Sequence, residues 1–216
     1  MKTVIVSGSM RKNGACENIA EKLAKISGGG VVFSLANNNV EMCRGDLSCC
    51  IDEDTYCYIN DDLKHFYKQL EECDHFILVS PIYEGFLSGA AKNFLNRINK
   101  YSSHYKLEGK LMSVVLVGVW PEKGKGSFEG KESFVQMAEY AAKNDTQEFS
   151  NEPVLPIIKA WLDYYMGIIH VNKGSVNFFQ MKDYSGYTPV LGCEIEERLK
   201  NIVCPQSAEN TKNVSK

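Results

Sequence analysis

Short apolar runs that alternate with helix-patterned stretches constrain this chain more than any single motif. Residues 3–6, 31–35, 75–79 and 111–119 are rich in Val, Ile, Leu and Phe, with no regular polar face. Strands of that kind are buried on both sides. Parallel strands joined through covering helices are the arrangement that buries them.

Between the runs the period changes. Ile19, Leu23 and Ile26 share one helical face, with Glu17, Glu21, Lys22 and Lys25 mostly elsewhere. Leu63, Phe66, Tyr67 and Leu70 share a second face, and Ala90, Ala91, Phe94, Leu95 and Ile98 a third. Glycines 28–30 stop the first helix, Asn60 or Asp61 caps the second, and Pro81 ends the third strand. Further helices are expected at 131–143, 156–166 and 194–203, with a last strand within 168–171 or 175–179. Trp161, Tyr164 and Tyr165 sit at helical spacing and read as packing residues. The whole predicts an α/β fold: a flavodoxin-like doubly wound five-stranded parallel sheet with helices on both faces. Ligands in such sheets bind beyond the carboxyl ends of the strands, so the loops beginning at Ser7, Ser80 and Gly118 should converge.

Composition narrows the partners. The chain has 216 residues, 44% of them hydrophobic and 24% charged, with a net charge of −3. This fits one domain over 1–206 and a polar tail over 207–216. The charge is not basic enough for a nucleic-acid partner. No apolar run approaches the ~18 residues of a membrane span, and residues 1–6 are too short for a signal peptide. A cytoplasmic location and reduced thiols are therefore expected for the eight cysteines, 16, 43, 49, 50, 57, 73, 193 and 204.

The first loop reads GSMRKNGACE, residues 8–17. A loop that feeds a helix N-terminus exposes backbone N–H groups at the positive end of the helix dipole, which is an anion site. Ser9 and Asn13 can add hydrogen bonds, Arg11 a charge-assisted one, and Gly14 close backbone approach. Neither a Walker A loop nor a GxGxxG fingerprint is present, so one phosphate monoester suits the loop better than a pyrophosphate. The other reading is a tight turn with surface cations. The second loop, SPIYEGFLSG at 80–89, places Ile82 and Tyr83 where a planar ring could lie. Tyr83 could instead pack in the core, and Ser88 could be a helix cap only. A phosphate site beside an aromatic slot suggests flavin mononucleotide, FMN.

GSMRKNG, SPIYEGFLSGAAKNFLNRI and the cysteine segment at 43–62 together resemble the NADPH-dependent FMN reductase family, in its iron–sulfur flavoprotein branch. The resemblance covers residues 2–99. It implies an FMN phosphate on Ser9, Arg11, Asn13, Gly14, Ala15 and Cys16. It also implies the flavin ring against Pro81, Ile82, Tyr83 and Glu84, with Gly118, Val119 and Trp120 closing the third side. The family usually has Ser or Thr where this chain has Cys16, and a thiol is a weak donor.

In the iron–sulfur branch a Cys-x-x-Cys-x-x-Cys run and a fourth Cys before Asp-Asp hold a cluster. By that resemblance Cys43, Cys49 and Cys57 match the first, third and fourth ligands, Asp46 stands at the second, and Cys50 is extra. A cluster on Cys43, Cys49, Cys50 and Cys57, a zinc ion, a redox disulfide and a loop with no metal all remain open, with no metal favoured. His65, His75, His104 and His170 have no metal-ligand spacing, and a basic loop at 123–126 could meet a nicotinamide phosphate or only solvent.

The function expected is an FMN-dependent NAD(P)H oxidoreductase. Electrons would pass from NADPH or NADH through FMN to a small-molecule or protein acceptor, with no catalytic side chain required. A flavodoxin-type carrier, an iron–sulfur electron-transfer protein, or a domain whose flavin site is lost are the alternatives. A homodimer is expected by the resemblance.

Overall fold

The computed structural model describes residues 1–51, 57–83, 85–118, 155–180 and 193–204. In chain order the elements are β1 (Thr3–Ser7), α1 (Ala15–Ile26), β2 (Val31–Ser34), α2 (Ser48–Ile51), α3 (Leu63–Glu72), β3 (His75–Tyr83) and β4 (Phe86–Leu87). Then come α4 (Gly89–Ile98), α5 (Tyr101–His104), β5 (Leu111–Gly118), α6 (Leu155–Ile168), β6 (Asn172–Gln180) and α7 (Cys193–Val203).

The strands run in the order β2-β1-β3-β5-β6, all parallel, which is the doubly wound arrangement expected. Successive side chains leave a strand on opposite faces. Val4, Val6, Phe76, Leu78, Val114 and Leu116 accordingly pack under α3, α4 and α6. Ile5, Ile77, Val79, Val115 and Val117 pack under α1 and α7. Ile19 and Leu23 are fully buried, as are Leu63, Tyr67 and Leu70, with Phe66 nearly so. The strand order reverses between β1 and β3, so a crevice opens at the carboxyl ends of those two strands.

Two local expectations are corrected, at Pro81 and at Tyr164, and two open choices are decided. Pro81 does not end the third strand: β3 continues through it to Tyr83 and turns back antiparallel as β4, pairing Ile82 with Leu87 and Tyr83 with Phe86. The sheet thus has five parallel strands and one short antiparallel one. Proline is tolerated there because β1 pairs only as far as Val79, so the missing N–H removes no bond on that side. The carbonyl of Pro81 accepts the Ser88 N–H at 3.1 Å. Of the two caps expected for α3, Asp61 makes the capping bond, its carboxylate accepting the Leu63 N–H at 3.2 Å, while Asp62, directly before the helix, makes no side-chain cap. The last strand lies at β6, across the second of the two ranges expected. Tyr164 is exposed, while Trp161 and Tyr165 stack at 5.4 Å and pack as expected. The expected helix at 131–143 and the tail lie outside the described residues.

Candidate functional site

The β1–α1 loop is held from below and from the side. The Gly8 N–H donates to Val79 O at 2.7 Å, and the Ser88 hydroxyl donates to Gly8 O at 2.6 Å. Ser88 also caps α4, accepting the Ala91 N–H at 3.0 Å, so one side chain serves both as the cap expected and as a clamp between two loops. A Cβ at Gly8 would stand 2.8 Å from Ala91 Cβ and 3.2 Å from Val79 O. Only glycine allows that closeness.

Within the loop, Ser9 is buried and its Oγ accepts the Arg11 N–H at 3.1 Å. Asn13 is left-handed at φ 54, a conformation Asn tolerates better than most residues. Gly14 is the cap residue of α1, extended and without a side-chain bond of its own. The first amide that bonds back along the helix is Asn18, to Gly14 O. The N–H groups of Ala15, Cys16 and Glu17 therefore precede the first intrahelical bond, at the positive end of α1. The Arg11 stem lies over Gly14, where a Cβ would meet its Cδ at 3.2 Å. This brings a guanidinium to the loop.

Cys16 is buried in the first turn of α1. Burial pushes its thiol up to about 12, against the opposing pull of Arg11, so it stays neutral. Glu17, expected away from the buried face, is buried instead. Its carboxylate accepts the Asn13 N–H and, at 2.6 Å, the Asn37 side-chain amide. A glutamate three residues beyond a cap residue is a recognised helix-start signal and could have flagged it.

The second loop lies alongside. Pro81 is buried, Ile82 half-buried, and Tyr83 is 54% exposed at the hairpin tip. Phe86, across from Tyr83, stands edge-on to Trp161 at 5.1 Å. Gly118 ends β5 at the same edge, beside Val117, which pairs with Pro81. Ser9, Arg11, Asn13, Gly14, Ala15, Cys16, Pro81, Ile82, Tyr83 and Gly118 thus all lie at the carboxyl edge of the sheet, and Ser88 bonds the first loop to the second. Glu84, Val119 and Trp120 lie outside the described residues.

The cysteine segment is fastened to α4 by a polar network that the sequence did not reveal. Asp61 and Arg97, both with fully buried side chains, form a two-pronged ion pair at 2.5 and 3.1 Å. Glu41 lies between them, its N–H on Asp61 at 2.9 Å and its carbonyl on Arg97 at 2.8 Å. Asn93 completes the attachment through the Cys43 N–H and the Glu41 carbonyl. Beyond this anchor Cys43, Cys49, Cys50 and Cys57 line one cavity of about 340 Å³, with Lys100 and Asp46 at its wall.

The donors there do not fit a four-thiolate cluster. Asp46 spends its carboxylate on the Ser48 N–H and hydroxyl and on Tyr58. Burial, and then the neighbouring Cys50 and Cys57 thiols, push Cys49 up to about 12. Among the described residues no three Cys, His, Asp or Glu side chains converge as metal ligands. No described helix is long and apolar enough to cross a membrane.

A family model described as NADPH-dependent FMN reductase matches residues 1–130. An iron–sulfur flavoprotein of Methanocaldococcus jannaschii is 32% identical over 122 residues, covering 55% of this chain and 62% of that protein. An iron–sulfur flavoprotein of Methanosarcina thermophila is 31% identical over 124 residues, covering 55% and 63%. The matches span less than two thirds of these relatives' own length. Among solved structures, an apo NADH:FMN oxidoreductase superposes with a TM-score of 0.58 at 15% identity, covering 94% of this chain and 86% of that one. The Trp repressor binding protein from Bacillus subtilis gives 0.57 at 13%, covering 93% and 97%. At such identities these two neighbours establish the fold alone.

Proposed function

Since this chain belongs to the NADPH-dependent FMN reductase family, we propose that it is an FMN-dependent oxidoreductase that takes electrons from NADPH or NADH and delivers them to a small-molecule or protein acceptor. One observation carries the reading. The glycine-bounded loop at 8–14 is clamped by Ser88 to the β3–β4 hairpin, so an anion cradle and an exposed aromatic hairpin share one edge of the sheet.

The side chains and amides of this chain would do the binding and orienting. The Ala15, Cys16 and Glu17 amides would receive the FMN phosphate, with the dipole of α1 favouring the charge. Arg11 would add a charge-assisted bond. Ser9 and Asn13 would line the cradle. Pro81, Ile82, Tyr83 and Glu84 would support one side of the ring system, and Gly118, Val119 and Trp120 would close another. Tyr83, exposed at the hairpin tip, would exclude water from one ring edge. FMN when bound would supply the two-electron chemistry, which needs no acid or base from the protein. The relatives' names add an iron–sulfur group, and the donor set around Asp46 gives no support for carrying that half over. A homodimer is part of the same proposal, and its mass in sedimentation checks it.

Titration of the apoprotein with FMN tests the reading. Stoichiometric quenching of flavin fluorescence, followed by NADPH or NADH oxidation when a quinone or nitro compound is added, is the expected result. Bound FMN without nicotinamide oxidation would favour a carrier. No binding would overturn the proposal.

A further inference from the structure

We propose that Glu17 is a positioning residue for the flavin phosphate: it shapes the cradle by fixing the loop at 8–14 in its receiving conformation. The inference rests on the FMN reading above and adds to it a residue that the binding loop acts through.

Glu17 occupies the first turn of α1 and is 6% exposed. A carboxylate that deeply placed must be partnered. One oxygen accepts the Asn13 N–H and the other accepts the Asn37 amide at 2.6 Å. The first bond sits on the one loop residue with a left-handed backbone, φ 54. Asn tolerates that conformation better than most residues but still at some cost, and the charge-assisted bond from its amide to Glu17 offsets that cost. The second bond reaches the segment after β2, where Asn37 is itself tied back to Ser34 O at 3.2 Å. Glu17 therefore joins the two loops that leave β1 and β2 at the ligand edge.

Two effects of opposite sign follow. Fixing Asn13 points the chain so that the Ala15, Cys16 and Glu17 amides face one place. A carboxylate beside that place also repels phosphate. Its charge is already met by two donors and by the N-terminal end of α1, so the positioning effect prevails.

Riboflavin separates the effects, since it carries the same ring system without the phosphate. Apoprotein of the wild type, Glu17→Ala, Glu17→Gln and Asn37→Ala is titrated with FMN and with riboflavin by fluorescence quenching. Glu17→Ala should weaken FMN about 10- to 100-fold while leaving riboflavin within about twofold. Glu17→Gln should fall between, because its NH2 replaces one of the two accepting oxygens and sets a donor against either the Asn13 N–H or the Asn37 amide. Asn37→Ala keeps the charge, removes one bond and should weaken FMN several-fold; it decides the matter if Glu17→Ala does not fold. Unchanged or tighter FMN binding in Glu17→Ala and Asn37→Ala would overturn the proposal, since the carboxylate would then be a competitor or a bystander. Equal losses for both flavins would overturn it too, as a general structural effect. If the wild type binds no FMN, the FMN reading itself falls, and this inference with it.

Discussion

Changing Asp61 to Asn tests the anchor under the cysteine segment. The substitution keeps the side chain's shape and removes its charge. Arg97 would then hold a guanidinium with no counter-ion at a place where both side chains are fully buried. Burial is the strongest single effect and opposes the Arg97 charge; the Asp61 hydrogen bond together with the neighbouring Tyr67, Cys57 and Asp61 groups outweighs it, holding the guanidinium above its ordinary value. Breaking a buried pair by removing one partner costs about 3–5 kcal/mol. The Asn amide could keep one bond to Arg97 but would turn its NH2 toward the other Arg97 nitrogen and toward one of the two amides, Glu41 or Leu63, that Asp61 now accepts.

Against a typical total of about 5–15 kcal/mol, such a loss is large. Equilibrium unfolding in urea measures it. Asp61→Asn should lower the midpoint by the equivalent of about 3–5 kcal/mol with little change in slope. The pair Asp61→Leu with Arg97→Met should lose less than the sum of its single changes, because no charge is left stranded. A loss below about 1 kcal/mol for Asp61→Asn, or strict additivity in the double variant, would refute the assignment of a dry, mutually dependent pair.

Three further outcomes are expected. Gly8→Ala would set a Cβ 2.8 Å from Ala91 Cβ; the loop must lift from α4, and FMN affinity should fall about tenfold or more by fluorescence titration. Cys16→Ser should tighten FMN binding several-fold, since a hydroxyl donates where a buried, neutral thiol does so weakly; an unchanged Kd would place that side chain off the phosphate. His75 is buried, with Nε2 on Ser113 Oγ at 2.9 Å, and burial lowers its pKa to about 4. Below pH 6.5 the unfolded chain takes up a proton that the folded one refuses, so stability should fall by up to about 3 kcal/mol as pH drops from 6.5 to 4. Unfolding curves across that window should be flatter for His75→Gln, and an equal slope would refute the assignment.

Local pattern carried much of the architecture. The unbroken apolar strands at 3–6 and 75–79, and the helical faces of Ile19 and Leu23 or Leu63 and Tyr67, are properties of neighbouring residues, and all lie where the periodicity puts them. The same alternation brings the carboxyl ends of β1, β3 and β5 to one edge, because parallel strands share a direction. Pro81 misled for a physical reason: a proline breaks a strand only where its N–H would have had a partner, and the ladder with β1 has already ended by then.

Periodicity places Glu17 off the buried face of its helix and says nothing of Arg97, because a charged residue faces solvent by default when no partner is known. Glu17 is buried because Asn37 lies beside it, twenty residues along the chain. Asp61 and Arg97 are buried because they meet across 36. The sequence by itself determined the long apolar strands and the amphipathic helices between them, how they alternate, and that a glycine-bounded loop opens the first helix. Only the tertiary structure decided which side chains meet at its edges, gathering four cysteines around one cavity and turning a glutamate inward. Periodicity is written within a few residues, whereas the desolvation of a charge depends on a partner that only folding brings near.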